Sequence, residues 1–141
     1  DKYDRQTRLW GEGQYLICTG RILVLGVDCN SLEIMKNLVL SGIGFYTLVD
    51  NKTISDQDIK ENFFIPSNSK GLNLAEAALK EISELNPDSK GTFLDKSPLT
   101  FIKENSEITK YDLIISSNNN NQVNLLLNEL CLKNSIKLVI T

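Results

Sequence analysis

The chain has 141 residues, 41% of them hydrophobic and 23% charged, with a formal net charge of −3 and no histidine. That length suits one domain able to bury roughly 70% of its unfolded surface. The acidic balance gives no support for nucleic-acid binding, the lack of histidine excludes Ser-His and Cys-His nucleophiles and removes a common zinc ligand, and no apolar run approaches the ~18 residues of a membrane span.

Residues 3–17 set Tyr3, Leu9, Trp10, Tyr15, Leu16 and Ile17 among polar neighbours, which predicts a short helix interrupted around Gly11-Glu12-Gly13. A buried parallel strand is expected over 21–26 and a helix over 31–41, stopping at Gly42-Ile43-Gly44, where glycine accepts a left-handed conformation. A second strand spans 45–50, and Ser55 precedes a short helical turn as its N-cap. From Lys70 to Leu85, Leu72, Ala75, Leu79, Ile82 and Leu85 recur at helical spacing, and Pro87 ends the run. A short strand at 92–94, a helical turn at 99–104, a strand at 111–115, a helix at 122–133 and a last strand at 136–140 complete the series. Strands alternating with helices predict an α/β fold, a doubly wound Rossmann-like parallel sheet covered on both faces. Asn118 to Asn121 reads as a polar loop at the carboxyl end of a strand, the edge where such sheets take ligands.

Gly26-Val27-Asp28-Cys29-Asn30-Ser31 stands at the first strand-to-helix turn, where a glycine-rich phosphate cradle would sit, and Asp50 follows at the spacing of a ribose-binding acid. Two of the three glycines such a cradle needs are missing. Glycine lets backbone N–H groups approach a phosphate, whereas Asp28 brings a negative charge beside the anion. Taken alone, the turn fits either the relic of a nucleotide enzyme or an unrelated α/β domain. Cys29 lies in this turn and Cys131 on an apolar helical face, with no cation adjoining either, so both are expected in the core rather than as nucleophiles. With Cys18 they make an odd, widely spaced set without metal-ligand spacing, which suits a reducing compartment, cytoplasmic and/or nuclear.

Tyr3-Asp4-Arg5-Gln6 and Arg8-Leu9-Trp10-Gly11 resemble the opening signature of the enzymes that activate ubiquitin and its relatives. The similarity continues through Lys36 to Gly44, through Asp50, and through Gly71 with Ala75-Glu76-Ala77. These enzymes resemble the ThiF-type adenylating proteins, which use ATP and magnesium to adenylate the C-terminal carboxylate of a small β-grasp protein. Their active unit pairs two related adenylation folds, one of them non-catalytic in the eukaryotic heterodimers. Asn37 to Gly44, Glu61-Asn62-Phe63-Phe64 and Glu84-Leu85-Asn86 are most similar to the non-catalytic subunit of the neddylation type. Lys133 to Lys137 looks more like the sumoylation counterpart, which stands as the alternative, with the non-catalytic half of a single-chain ubiquitin-activating enzyme third. Residues 1–141 are accordingly expected to be a pseudo-adenylation domain, the N-terminal part of a longer subunit.

The resemblance aligns the family's cradle glycines with Asp28, Cys29 and Ser31, its phosphate-holding arginine with Glu61, the next phosphate ligand, a lysine, with Leu74, and its magnesium aspartate with Asn119 or a neighbour in Asn118 to Asn121. Reversing a unit charge ~4 Å from a phosphate is a swing of roughly 8 kcal/mol at an effective dielectric of about 20. It implies that this chain binds no cofactor or metal, that ATP and magnesium belong to the catalytic partner, and that Asp50 is the vestige of the ribose position. Arg5, by the same resemblance, reaches across the dimer to the partner's ATP phosphates, a role suited to a planar, permanently charged guanidinium. The plain alternative pairs Arg5 with Asp1 or Asp4 at the surface. Trp10, Phe63 and Phe64 are candidates for the heterodimer interface or the core. The implied partners are a catalytic subunit and a ubiquitin-like protein. Two rival readings are an active ThiF-type enzyme binding ATP through a reshaped turn, and a nucleotide-sensing Rossmann module using Asp50.

Overall fold

The computed structural model describes residues 20–61, 65–104 and 107–141. Among these, β1 (Arg21–Leu25), α1 (Cys29–Leu40), β2 (Phe45–Val49), α2 (Asp56–Glu61), α3 (Leu74–Ser83), β3 (Lys90–Leu94), α4 (Pro98–Glu104), β4 (Leu113–Ser116), α5 (Asn121–Asn134) and β5 (Lys137–Ile140) follow one another, with 3-10 turns at Ser67–Ser69 and Glu107–Lys110. The five strands form one sheet in the order β3-β2-β1-β4-β5, and every pairing is parallel. This is the doubly wound α/β architecture expected from the alternating pattern.

Alternation along β1 shows why both faces are covered. Ile22 and Val24 pack with Leu32, Met35 and Val39 of α1 and with Leu74, Ala78 and Ile82 of α3. Leu23 and Leu25 point the other way, into Phe101 and Ile102 of α4 and Val123, Leu127 and Cys131 of α5. A strand buried on both faces must be apolar throughout, which is what Ile-Leu-Val-Leu supplies.

Helix α1 stops as its glycine requires. Gly42 has φ +93, and the Gly42 and Ile43 amides donate to the carbonyls of Val39 (3.0 Å) and Leu38 (3.2 Å), closing the last turn in a Schellman arrangement. Leu72 is not on the helical core face; it lies ahead of α3 and is 55% exposed, because Asn73 caps the helix by accepting from the Glu76 amide at 2.8 Å. The buried face of α3 is instead Leu74, Ala75, Ala77, Ala78 and Ile82.

Tyr46 on β2 is 1% exposed, and its hydroxyl finds no hydrogen-bond partner among the described residues. Burial pushes its pKa from 10.0 up to about 12. Between pH 10 and 12 the unfolded chain ionises first, so stability is full below pH 10 and falls as pH rises, by roughly 3 kcal/mol in all. Tyr46→Phe is expected to remove an unsatisfied group, leave stability at pH 7 unchanged or raised by about 1 kcal/mol, and abolish this component of the alkaline loss. Urea titrations of both proteins at pH 7, 10 and 11.5 check it; a variant less stable at pH 7 would show that the hydroxyl has a partner.

Candidate functional site: the crevice where the strand order reverses

The order β3-β2-β1 runs one way from β1 and β4-β5 the other, so the carboxyl ends of β1 and β4 flank the topological switch point, the usual ligand crevice of this architecture. The Gly26 turn, Asp50, Ser117 and the Asn118–Asn121 run all meet there or beside it. Gly26 has φ +97, and a Cβ built on it would lie 2.1 Å from the carbonyl oxygen of Ser117. The backbone of the turn and that of the β4 end therefore pass at a separation only glycine allows.

Asp28 is extended (φ −148, ψ −174) and caps α1. Its Oδ1 accepts from the Ser31 amide at 2.9 Å, while the Asp28 amide donates to Ser31 Oγ at 3.0 Å, forming a reciprocal capping box. The same Oδ1 accepts from Ser117 Oγ at 2.6 Å, and Ser117 Oγ is 2.9 Å from Thr141 Oγ1. Since the Ser117 proton is committed to the carboxylate, Thr141 is the donor of the second bond. Asn119 Nδ2 donates to the Leu25 carbonyl and to Ser116 Oγ, both at 2.8 Å, and Ser116 Oγ donates to Asn124 Oδ1 at 2.7 Å. Asn120 accepts from the Val123 amide at 2.9 Å and so caps α5.

Asp50 is 2% exposed. Its Oδ2 accepts from the Val27 amide at 2.8 Å and its Oδ1 from the Lys52 amide at 3.0 Å, so each carboxylate oxygen is engaged by a backbone turn. The Val27 N–H, one of the donors a phosphate cradle would aim outward, is thereby directed to Asp50.

Around this edge the residues aligned with the family's nucleotide ligands have other tasks. Glu61 ends α2, and its carboxylate accepts from Gln57 one helical turn earlier. Leu74 is 1% exposed, packed in the core as the first residue of α3. Cys131 is buried, which raises its thiol pKa. Cys29 departs from expectation: it is exposed, not in the core, because Asp28 as N-cap makes it the first residue of α1 at the solvent edge of the sheet. Arg5, Trp10, Phe63, Phe64 and the helix expected over 3–17 lie outside the described residues. Two surface grooves, one lined by residues including Pro66, Leu72, Glu76 and Lys80 and one by residues including Asn121, Leu125, Asn128 and Ile140, have neither Gly26, Asp28 nor Asp50 in their walls.

Aligned by motif alone, Asp28 and Ser31 register only as lost glycines. Asp-x-x-Ser before an apolar-periodic stretch is also a helix-start signal, and it would have identified the cap. Ser117 and Thr141 carry no such signal, since their distance in sequence from Asp28 hides the contact.

Residues 3–141 match the model of the ThiF family. The chain is 41% identical over 131 residues to the Nedd8-activating enzyme E1 regulatory subunit of Drosophila melanogaster, covering 91% of this chain and 25% of that protein. It is 39% identical over 117 residues to the NEDD8-activating enzyme E1 regulatory subunit of Danio rerio, covering 82% and 22%. To the SUMO-activating enzyme subunit 1 of Xenopus laevis it is 35% identical over 139 residues, covering 96% and 39%. It thus spans about a quarter of the length of the NEDD8-type relatives it matches. Among solved structures, the E. coli tRNA N6-threonylcarbamoyladenosine dehydratase TcdA superposes with a TM-score of 0.83 at 23% identity, over 99% of this chain and 59% of that one, a likeness of fold. A five-stranded parallel sheet with the switch-point turn in its place, and a family match over all but the first two residues, agree: this chain belongs to the ThiF family.

Proposed function

We infer that this chain is the pseudo-adenylation domain of the regulatory, non-catalytic subunit of a heterodimeric ubiquitin-like-protein activating enzyme, of the NEDD8-activating type. The observation that carries the reading is the switch-point crevice. The amide of Ser31 is taken by Asp28 and that of Val27 by Asp50, so donors that would hold a phosphate are spent inside the protein. A carboxylate beside them opposes an incoming triphosphate rather than attracting it. The relatives named regulatory subunit support the NEDD8 type. The likeness to SUMO-activating enzyme subunit 1 favours a SUMO-type subunit as the second reading.

On this reading ATP and magnesium are bound by the catalytic partner, which also handles the ubiquitin-like protein, in the cytoplasm and/or nucleus. Asp50 is then a vestige of the ribose position, retained because it ties two turns. Arg5 completes the partner's site by contacting the ATP phosphates in trans, and Trp10, Phe63 and Phe64 are candidates for the subunit interface.

Two measurements test this. Calorimetric titration of ATP and magnesium into the chain is expected to show no binding at micromolar concentrations; micromolar binding would overturn the non-catalytic assignment. With the catalytic partner reconstituted, Arg5→Ala is expected to slow ATP-dependent adenylate formation about tenfold, the equivalent of ~1.4 kcal/mol, with heterodimer assembly intact. Unchanged adenylation would remove the role from Arg5.

A further inference from the structure

Loss of glycines is one way to abandon a phosphate site; filling the site is another, and the two differ in what they leave behind. Simple erosion leaves the first-turn amides of α1 facing solvent. Here the amide of Ser31, the third residue of α1, donates to a carboxylate. Asp28 Oδ1 takes the Ser31 amide of α1 and the Ser117 hydroxyl at the end of β4, and Thr141 beyond β5 donates to Ser117 in turn. Ser31 and Ser117 are 0% and 1% exposed, so these donors are sealed from water. The Thr141 amide also donates to the Ser116 carbonyl at 2.9 Å. At a switch point neighbouring strands send their chains to opposite faces, so the strand ends tend to splay. In this chain the Ser117 amide and the Asn119 side chain tie the end of β4 to the Leu25 carbonyl, and the Asp28 side chain adds the start of α1 to that tie.

We propose that Asp28 is an intramolecular plug: its carboxylate occupies the anion seat of the crevice, excludes phosphate-bearing ligands, and clasps the β1–α1 turn to the ends of β4 and β5. Gly26 is retained because the clasp needs it: only without a Cβ there can the Ser117 backbone come close enough for its hydroxyl to reach Asp28. This inference deepens the reading of the crevice given above, adding what closes it.

The test uses the chain with Asp28→Gly, Asp28→Asn and Ser117→Ala, melted in sodium phosphate and in sodium chloride at equal ionic strength. The unsubstituted chain, melted alongside, controls for the general effect of phosphate as an excluded salt. In chloride, Asp28→Gly is expected to lower Tm by about 3 °C, since it loses both the cap and the clasp. In tens of millimolar phosphate it is expected to regain about half of that loss along a saturable curve, while the unsubstituted chain and Ser117→Ala show no saturable gain. Ser117→Ala is expected to lower Tm with the plug still capped by Ser31, separating clasp from plug. Should Asp28→Gly be unfolded in chloride, phosphate is expected to restore its helical circular dichroism. Asp28→Asn, which keeps the shape and one acceptor oxygen without the charge, is then the folded variant in which a lowered Tm reports the clasp.

An Asp28→Gly chain with unchanged Tm would overturn the clasp. A phosphate gain no larger than that of the unsubstituted chain, or saturable phosphate binding by the unsubstituted chain itself, would overturn the plug. Failure of the plug with no ATP bound by the unsubstituted chain leaves the non-catalytic assignment standing; ATP binding by that chain removes the assignment itself.

Discussion

Gly26→Ala is expected to destabilise the protein by about 4 kcal/mol, a large share of the roughly 5–15 kcal/mol that holds a domain folded. Two penalties add. A non-glycine residue at φ +97 lies outside the regions open to a Cβ and costs on the order of 1–3 kcal/mol. The new methyl would also lie 2.1 Å from the Ser117 carbonyl oxygen, a backbone atom that cannot swing aside. To relieve the overlap the ends of β1 and β4 must part. That strains the Ser117 amide bond to the Leu25 carbonyl (3.0 Å), the Asn119 bond to the same carbonyl, and the Asp28–Ser117 contact. Mutations that combine backbone strain with overlap against fixed atoms fall in the severe tail of measured effects. Urea unfolding monitored by circular dichroism checks it: the midpoint should fall steeply with an unchanged m-value, and a loss under 1 kcal/mol would mean the turn is free to rearrange.

Gly91→Ala is the second large effect, about 2–3 kcal/mol, and its cause is space rather than backbone conformation. A Cβ at Gly91 would sit 2.3 Å and 2.5 Å from two ring carbons of Tyr46 and 2.6 Å from the Cδ1 of Leu79. Leu79 is only partly buried and can yield. Tyr46 cannot, because its ring is 1% exposed within the core that joins β2 to α1 and α3. Overpacking of a filled core costs about 1–3 kcal/mol. Tyr46→Leu removes the obstructing ring atoms at its own cost, so the double substitution should be less destabilised than the sum of the singles. A double-mutant cycle reads this as a coupling of at least about 1 kcal/mol. Strict additivity would place the clash elsewhere.

These positions mark what sequence reasoning reaches and what it does not. The strand-helix alternation, the apolar β1, the glycine stop after α1 and the cap at Ser55 are local signals, and the structure follows them to within a few residues. Leu72 and Cys29 depart from expectation for one shared reason. In each case a capping residue, Asn73 or Asp28, sets where the helix begins: Leu72, expected on the apolar stripe, falls just outside it, and Cys29, expected buried in the turn, becomes its exposed first residue. Periodicity carries through a run of residues, whereas a cap acts at a single position and overrides it.

The candidate site divides along the same line. From the order of residues alone come a nucleotide-type turn with its glycines gone, an acid at the ribose spacing, and the family, because motifs and spacings are one-dimensional. The family match over residues 3–141 bears out the family. What occupies the turn is decided only in three dimensions. Ser117 lies 89 residues from Asp28, and Thr141 lies 24 beyond Ser117. Parallel strands bring their carboxyl ends to a common edge whatever the length of the helices between them, so partners at that edge are set by sheet order. The sequence by itself sets Asp28, Cys29 and Ser31 where a glycine-rich turn would carry glycines; only the sheet shows that the Asp28 carboxylate holds the Ser31 amide and, from the end of β4, the Ser117 hydroxyl.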